Sequence, residues 1–250
     1  MATIEIRDLV KRFGSVEAVS GLSFDVEQGS VTGFLGANGA GKTTTLRILL
    51  GLESATAGTA RINGLPYHDL PQPLRKVGAA LESSGFYPGR TARNHLRILA
   101  LAAGVEPSRA DYVLDLVHLH SDANRRVGAF SLGMRQRLSL AGALIADPEV
   151  LILDEPANGL DPEGVRWLRD LLQGFAAAGG TVLVSSHILA ETAQTVDHVV
   201  IIDHGRLVRQ GSLAELTGGH DLESTFFDLT GGDLGGGGAL PLQTPDSARG

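Results

Sequence analysis

The chain contains no cysteine. That absence removes disulfide frameworks, thiolate metal sites and cysteine nucleophiles together. No window approaches the roughly 18 consecutive apolar residues that a membrane span requires. Met1 to Lys11 also lacks the basic-then-apolar profile of a secretory leader, so the expectation is a chain that stays in the cytosol. Basic charge is scarce as well, with 21 Lys and Arg against 28 Asp and Glu and a net charge of -7. A surface of that sign offers no broad basic face to phosphate backbones, and nucleic acid is not expected as the main partner. There is no internal repeat. Apolar residues, by contrast, are ample: 43% of the 250 residues are hydrophobic, enough for a sizeable core in one large domain or two modest ones.

Ile4 to Val10 and Val19 to Val26 alternate apolar and polar residues, which predicts two strands of a small antiparallel sheet. Thr59 to Leu65 and Val77 to Leu81 carry the same pattern. From Thr91 to Ala146 the period lengthens. Leu96, Leu99, Ala100 and Ala103 recur at helical spacing, as do Val113, Leu116 and Val117, and a third run covers Ser131 to Ile145. The reading is an all-helical insert, spanning about 88–147, between strands. Beyond Pro148, strands at Val150 to Leu153, Thr181 to Ser185 and Val199 to Ile202 alternate with helices at Glu163 to Ala177 and Ile188 to Val196. Leu168, Leu171, Leu172 and Phe175 share one stripe, so the first of these helices is expected to lie against a sheet. Strands alternating with helices predict an α/β fold, a mostly parallel sheet with helices on both faces. Leu222, Phe226 and Leu229 make one more apolar stripe in a C-terminal extension, 218–230, whereas Gly231 to Gly250 is too glycine-rich and apolar-poor to pack and is expected to be disordered.

The chemistry gathers around Gly36-Ala37-Asn38-Gly39-Ala40-Gly41-Lys42-Thr43, which fits G-x-x-x-x-G-K-[ST]. An apolar run, Val31 to Leu35, precedes it and a helical run, Thr44 to Leu50, follows it, the strand, loop and helix order that a phosphate-binding loop requires. Gly36, Gly39 and Gly41 let the backbone curl so that N–H groups point inward, and the helix adds its positive dipole end. Lys42 would reach the β- and γ-phosphates and the Thr43 hydroxyl would ligate Mg²⁺. Asn38, Ala40 and Thr44 complete the expected nucleotide contacts. A second carboxylate element stands at Val150 to Pro156: Asp154 suits Mg²⁺, and Glu155 can accept a proton from a water attacking the γ-phosphate. The competing reading of that pair is two solvent-facing acids capping a strand.

Three further segments resemble the ATP-binding subunits of ABC transporters, and the likeness runs from Ile4 to about Leu216. Phe130-Ser131-Leu132-Gly133-Met134-Arg135-Gln136-Arg137 is similar to the family's signature motif, with Leu132 and Met134 departing from the commonest form. Ser131 and Gly133 occupy the positions that touch ATP in the family, although Ser131 would also be a helix N-cap in either case. Asn158-Gly159-Leu160-Asp161-Pro162 resembles the D-loop, which brings Asp161 into the expected nucleotide set, and Ser185-Ser186-His187 resembles the switch histidine. Phe13 falls where the family carries an adenine-stacking aromatic, with packing as the alternative. Glu82 stands where the family usually has a glutamine, and is either a third ligand of Mg²⁺ or a solvated loop acid. The run from Val77 to Pro88, with Ser131 to Met134 and His187 to Glu191, looks like the bacitracin and lantibiotic exporter branch.

The resemblance implies a single ATP-binding domain over 1–217, made of a P-loop core, a small antiparallel β subdomain and the helical insert. It also implies ATP and Mg²⁺ as ligands and a head-to-tail homodimer, or a dimer with a close paralogue, that closes on two ATP molecules. A separately encoded transmembrane permease would hold the chain at the cytoplasmic face of the membrane. Phe86, Tyr87 and Pro88, apolar residues in the turn-rich segment Ser83 to Leu96, form the expected permease contact, with packing of Phe86 and Tyr87 under the loop as the alternative. Two alternatives stay open: a soluble ATPase of the same type acting on ribosomes or nucleic acid, and a P-loop kinase acting on a small molecule. The first usually carries tandem domains or a long coiled-coil insert, and the second has no need of Ser131 to Arg137.

Overall fold

The computed structural model describes residues 2–81, 85–218 and 221–230. Glu82 and the glycine-rich stretch 231–250 lie outside the described residues, as do Ser83 and Ser84 of the expected permease segment.

In chain order the elements are β1 (Ala2–Phe13), β2 (Val16–Glu27), β3 (Val31–Leu35), α1 (Lys42–Leu49), β4 (Ala57–Ile62), α2 (Pro73–Lys76), β5 (Val77–Ala80), α3 (Ala92–Ala102), α4 (Arg109–Leu116) and α5 (Leu132–Leu144). They continue with β6 (Val150–Asp154), α6 (Pro162–Ala177), β7 (Thr181–Ser186), α7 (Leu189–Thr192), β8 (His198–Asp203), β9 (Arg206–Ser212), α8 (Leu213–Thr217) and α9 (Leu222–Thr230). β2, β1 and β4 form an antiparallel sheet, and the larger sheet runs β5-β6-β7-β3-β8-β9. Its first five strands pair in parallel, and β9 closes the edge antiparallel to β8.

The central strands β3 and β6 are buried at every position, as strands covered on both faces must be. Their pleat divides the core into two layers. Leu151 and Leu153 of β6, with Val182 and Val184 of β7, face the layer built with the helices of 92–144 and α6. Val150 and Ile152 of β6, with Leu183 of β7 opposite Ile152, face α1 and the antiparallel sheet. Leu168 and Leu172 of the predicted α6 stripe are buried in the first layer, and Leu171 and Phe175 pack on its edge.

Some boundaries differ from the sequence expectation. The strand expected over Thr59 to Leu65 ends at Ile62, because Asn63 and Gly64 both take positive φ (49° and 78°) and reverse the chain. The helix expected over Ile188 to Val196 is regular only from Leu189 to Thr192. The edge strand β9 has mainly exposed positions, so it lacks the apolar run by which strands are found in sequence. α8 opens with a capping box between Ser212 and Glu215, a Ser-x-x-Glu signal that was visible in the sequence.

The C-terminal extension is part of the core. α9 packs against α7, α8 and β9, and it buries Leu222 and Phe226 while Leu229 remains partly exposed. Replacing Phe226 by Ala, at a site only 1% exposed, is expected to cost about 3–5 kcal/mol of unfolding free energy. A denaturant melt checks this, and an unchanged midpoint would mean that α9 contributes nothing to the folded state.

Candidate active site

The loop between β3 and α1 curls because its glycines permit what a side chain would forbid. A Cβ at Gly36 would stand 2.6 Å from the Ile202 carbonyl, and one at Gly41, held at φ +101°, would stand 2.5 Å from the Ala18 carbonyl. The loop is thus clamped between β8 and β2, and α1 starts at its end with free N–H groups facing the cleft. Lys42 is buried, and its ammonium donates to the carbonyls of Gly36 (2.6 Å) and Ala37 (3.3 Å).

β6 and β7 deliver the carboxylates and the histidine to the same place, since they are parallel neighbours that end at the same edge of the sheet, with β7 next to β3. Asp154 is fully buried: its Oδ2 accepts from the Thr43 hydroxyl at 2.8 Å and its Oδ1 from the Ser185 hydroxyl at 2.5 Å. Glu155 stands at φ +50°, a conformation costly for a side chain with a Cβ. Three contacts hold it there. Its N–H donates to Ser185 Oγ (3.0 Å), and its carbonyl accepts from the Asn158 N–H (3.2 Å) and from Gln136 Nε2 (3.4 Å). This turn sends the side chain back over the loop, where Oε1 lies 3.5 Å from Lys42 Nζ and Oε2 lies 2.8 Å from His187 Nδ1. Glu155 therefore joins the loop cation to the histidine at the mouth of a cleft of about 340 Å³, lined also by Asn38, Gly39, Thr43 and Thr44.

The structure brings together most, not all, of the residues singled out from sequence. Gly36 and Ala40 shape the loop from behind: the Ala40 side chain lies 3.0 Å from the position of a Cβ on Gly36. Ser131 caps α5, its hydroxyl accepting from the Met134 N–H at 3.2 Å, and Gly133 lies under the Gly159 carbonyl. The Asp161 carboxylate is engaged as the N-cap of α6, accepting from the Gly164 N–H at 2.8 Å. Phe13 presents a half-exposed ring near the turn into β2, with Lys11 Nζ 4.7 Å from its centroid. None of Phe13, Ser131, Gly133 and Asp161 lines the phosphate cleft. Conversely, Asn158 and Ala18 do line it, and Ser185 fixes both acids. Asn158 and Ser185 were visible only as parts of motifs, and Ala18 carries no signal in sequence.

The comparisons with known proteins agree with this geometry. The profile of the family described as "ABC transporter" matches residues 19–158. The chain is 47% identical over 210 residues to the bacitracin transport ATP-binding protein BcrA of Bacillus licheniformis, covering 83% of this chain and 69% of the relative. It is 35% identical over 223 residues to the lantibiotic transport ATP-binding protein SrtF of Streptococcus pyogenes, covering 89% of this chain and 95% of the relative. A solved structure described as an ATP binding subunit of an ABC transporter superposes with a TM-score of 0.83 at 29% identity, covering 91% of this chain and 99% of that one. Loop, carboxylate pair and ancestry converge: the chain belongs to the ABC transporter family, and it is an ATP-binding subunit that hydrolyses ATP.

Proposed function

We propose that this subunit powers the export of a drug or peptide antibiotic, through ATP-driven pairing with a second copy of itself, or a close paralogue, and hydrolysis of the trapped ATP. The observation that carries the reading is the bridge from Lys42 through Glu155 to His187. The export branch is supported by the bacitracin and lantibiotic names of the relatives. Lys42 and the loop N–H groups bind the β- and γ-phosphates, and the exposed ring of Phe13 takes the adenine. Glu155 takes one proton from water as the water oxygen bonds to the γ-phosphorus and the bond to the ADP oxygen breaks. His187 orients that carboxylate and the γ-phosphate. Ser131 and Gly133 of the partner copy, with its D-loop around Asp161, close the site.

Mg²⁺ fits the donors present. The Thr43 hydroxyl and the buried Asp154 carboxylate lie side by side at 2.8 Å, a hard-oxygen pair of the kind that holds Mg²⁺ together with phosphate and water oxygens. When bound, the ion would neutralise charge on the β- and γ-phosphates.

The permease is assigned to a cleft of about 470 Å³ between α3, α5 and the β5 edge, whose apolar lining includes Leu74, Phe86 and Leu99. Among the described residues no helix is long and apolar enough to cross a membrane, so membrane attachment on this reading runs through that partner. Burial, with the charge of Arg90 second, pushes the His95 imidazole below the usual histidine range, which suits it to an apolar contact in the same cleft. The expected contact pair divides here. Phe86 packs on the helical core with its ring 5.1 Å from His95, whereas Tyr87 is 66% exposed.

The test is to look for a multi-span protein in the reading frames beside this chain and to reconstitute the two together. ATPase activity in vesicles is expected to rise on adding bacitracin or a lantibiotic, and Tyr87→Ser is expected to lower stimulation and co-sedimentation while basal turnover persists. No stimulation by either compound would refute the substrate class, and full stimulation of Tyr87→Ser would refute the docking assignment.

A further inference from the structure

Arg137 lies on the helix that Ser131 caps and takes no part in the phosphate cleft. Its guanidinium carbon sits 4.5 Å from the centroid of the Trp167 ring on α6, a cation–π seat. Nη1 donates to the Val117 carbonyl at 3.3 Å and lies 3.4 Å from His118 Nδ1. The His118 ring in turn stands 5.8 Å from that of Trp167. Nη2 would be 3.3 Å from a Cβ at position 164, so glycine there leaves room for the guanidinium. Nearer the start of both helices the fit is as tight. A Cβ on Gly133 would stand 2.8 Å from the Gly159 carbonyl, and one on Gly159 would stand 2.5 Å from the Leu132 side chain. Gln136 reaches the Glu155 carbonyl at 3.4 Å.

The first half of α5 is thus joined, level by level, to the segment that begins at Glu155 and ends at Trp167. We propose that Arg137 is a positioning residue that makes this joint rigid, so that a displacement of Glu155 beside the chain's own nucleotide is passed to Ser131. On the dimer reading above, on which this consequence rests, Ser131 faces the partner's nucleotide, and Arg137 then couples the two sites of the pair. The joint itself lies within one chain. A planar guanidinium is required, because an ammonium cannot both lie flat on the indole and reach the Val117 carbonyl.

Trp167 is the sole tryptophan, so its emission reports the joint. The full chain is compared with Arg137→Ala, Arg137→Lys, Trp167→Phe and Trp167→Ala. In the unmodified chain the emission maximum is expected to be the same with and without Mg-ATP, because the stacked pair moves as one body. In Arg137→Ala it is expected to lie further to the red and to respond to Mg-ATP. Turnover of Arg137→Ala should fall about tenfold, by the loss of one cation–π contact. Its nucleotide Kd, measured by titration with ADP, should stay within about twofold and its Hill coefficient should drop to about 1. Arg137→Lys should match Arg137→Ala, and Trp167→Phe, which keeps a ring face, should stay near the unmodified turnover while Trp167→Ala does not.

An emission maximum of the unmodified chain that shifts with Mg-ATP, or unchanged turnover in Arg137→Ala, would overturn the proposal. So would a loss of ADP affinity equal to the loss of turnover, which marks a merely structural role. Should Arg137→Ala fail to fold, equal turnover in Trp167→Phe and Trp167→Ala would refute it. Failure of the dimer reading has a separate signature: a Hill coefficient of about 1 in the unmodified chain and a Glu155→Gln variant that stays monomeric with Mg-ATP. The emission measurements decide the joint in either event.

Discussion

Glu155→Gln is expected to bind ATP at least as well as the unmodified chain and to lose turnover by about 10²- to 10⁴-fold, the range that a general base contributes. The amide keeps the shape of the side chain and can still meet His187 Nδ1, which lies 2.8 Å from Oε2, but it cannot accept the proton of the attacking water. It also releases Lys42 from a carboxylate 3.5 Å away, which leaves the ammonium free for phosphate oxygens. Tighter rather than weaker nucleotide binding is therefore the expected side effect, and ATP should accumulate in a pair of subunits. Size-exclusion chromatography with Mg-ATP and a phosphate-release assay read both consequences. A variant that hydrolyses at the original rate would remove Glu155 from the chemistry.

Lys42→Ala is expected to do the opposite and lose binding first. The ammonium is buried against the Gly36 and Ala37 carbonyls, so it is already positioned where a phosphate would meet it. Removing a charge-assisted contact of this kind costs about 2–4 kcal/mol, which corresponds to a weakening of ATP affinity by about 30- to 1000-fold. Titration with a fluorescent ATP analogue measures the loss. A Kd within a few-fold of the original would mean that the loop N–H groups bind the nucleotide without the lysine. Together the two variants separate roles: one retains affinity without turnover, the other loses affinity and turnover together.

The phosphate loop was legible in the sequence because its requirements are local. Gly36, Gly39 and Gly41 report backbone geometry directly, since a Cβ at Gly36 or Gly41 would meet a carbonyl oxygen closer than 3.0 Å. The runs of β3 and β6 were legible for a related reason: strands buried on both faces are mainly apolar, with Thr32 the one polar side chain in β3 and Asp154 the one in β6. β9 was not legible, as an edge strand with mainly exposed positions pairs along β8 yet leaves no apolar run to read. Asp161 shows the converse problem. Its motif points to the nucleotide, while its carboxylate in the folded chain caps α6.

By itself, then, the sequence determined the family, the α/β alternation and the chemical types at the site, because phosphate binding needs a short contiguous loop and burial leaves a periodic trace. Only the tertiary structure decided how those groups meet. The left-handed turn at Glu155, held by Asn158 three residues on and by Ser185 and Gln136 from two other segments, is what swings its carboxylate between Lys42 and His187. Likewise the seat of Arg137 on Trp167 joins two helices that the sequence announces separately but does not pair. A backbone conformation of that cost, and a cation stacked on a distant ring, persist only when contacts remote in sequence over-determine them, and such contacts leave no local pattern to read.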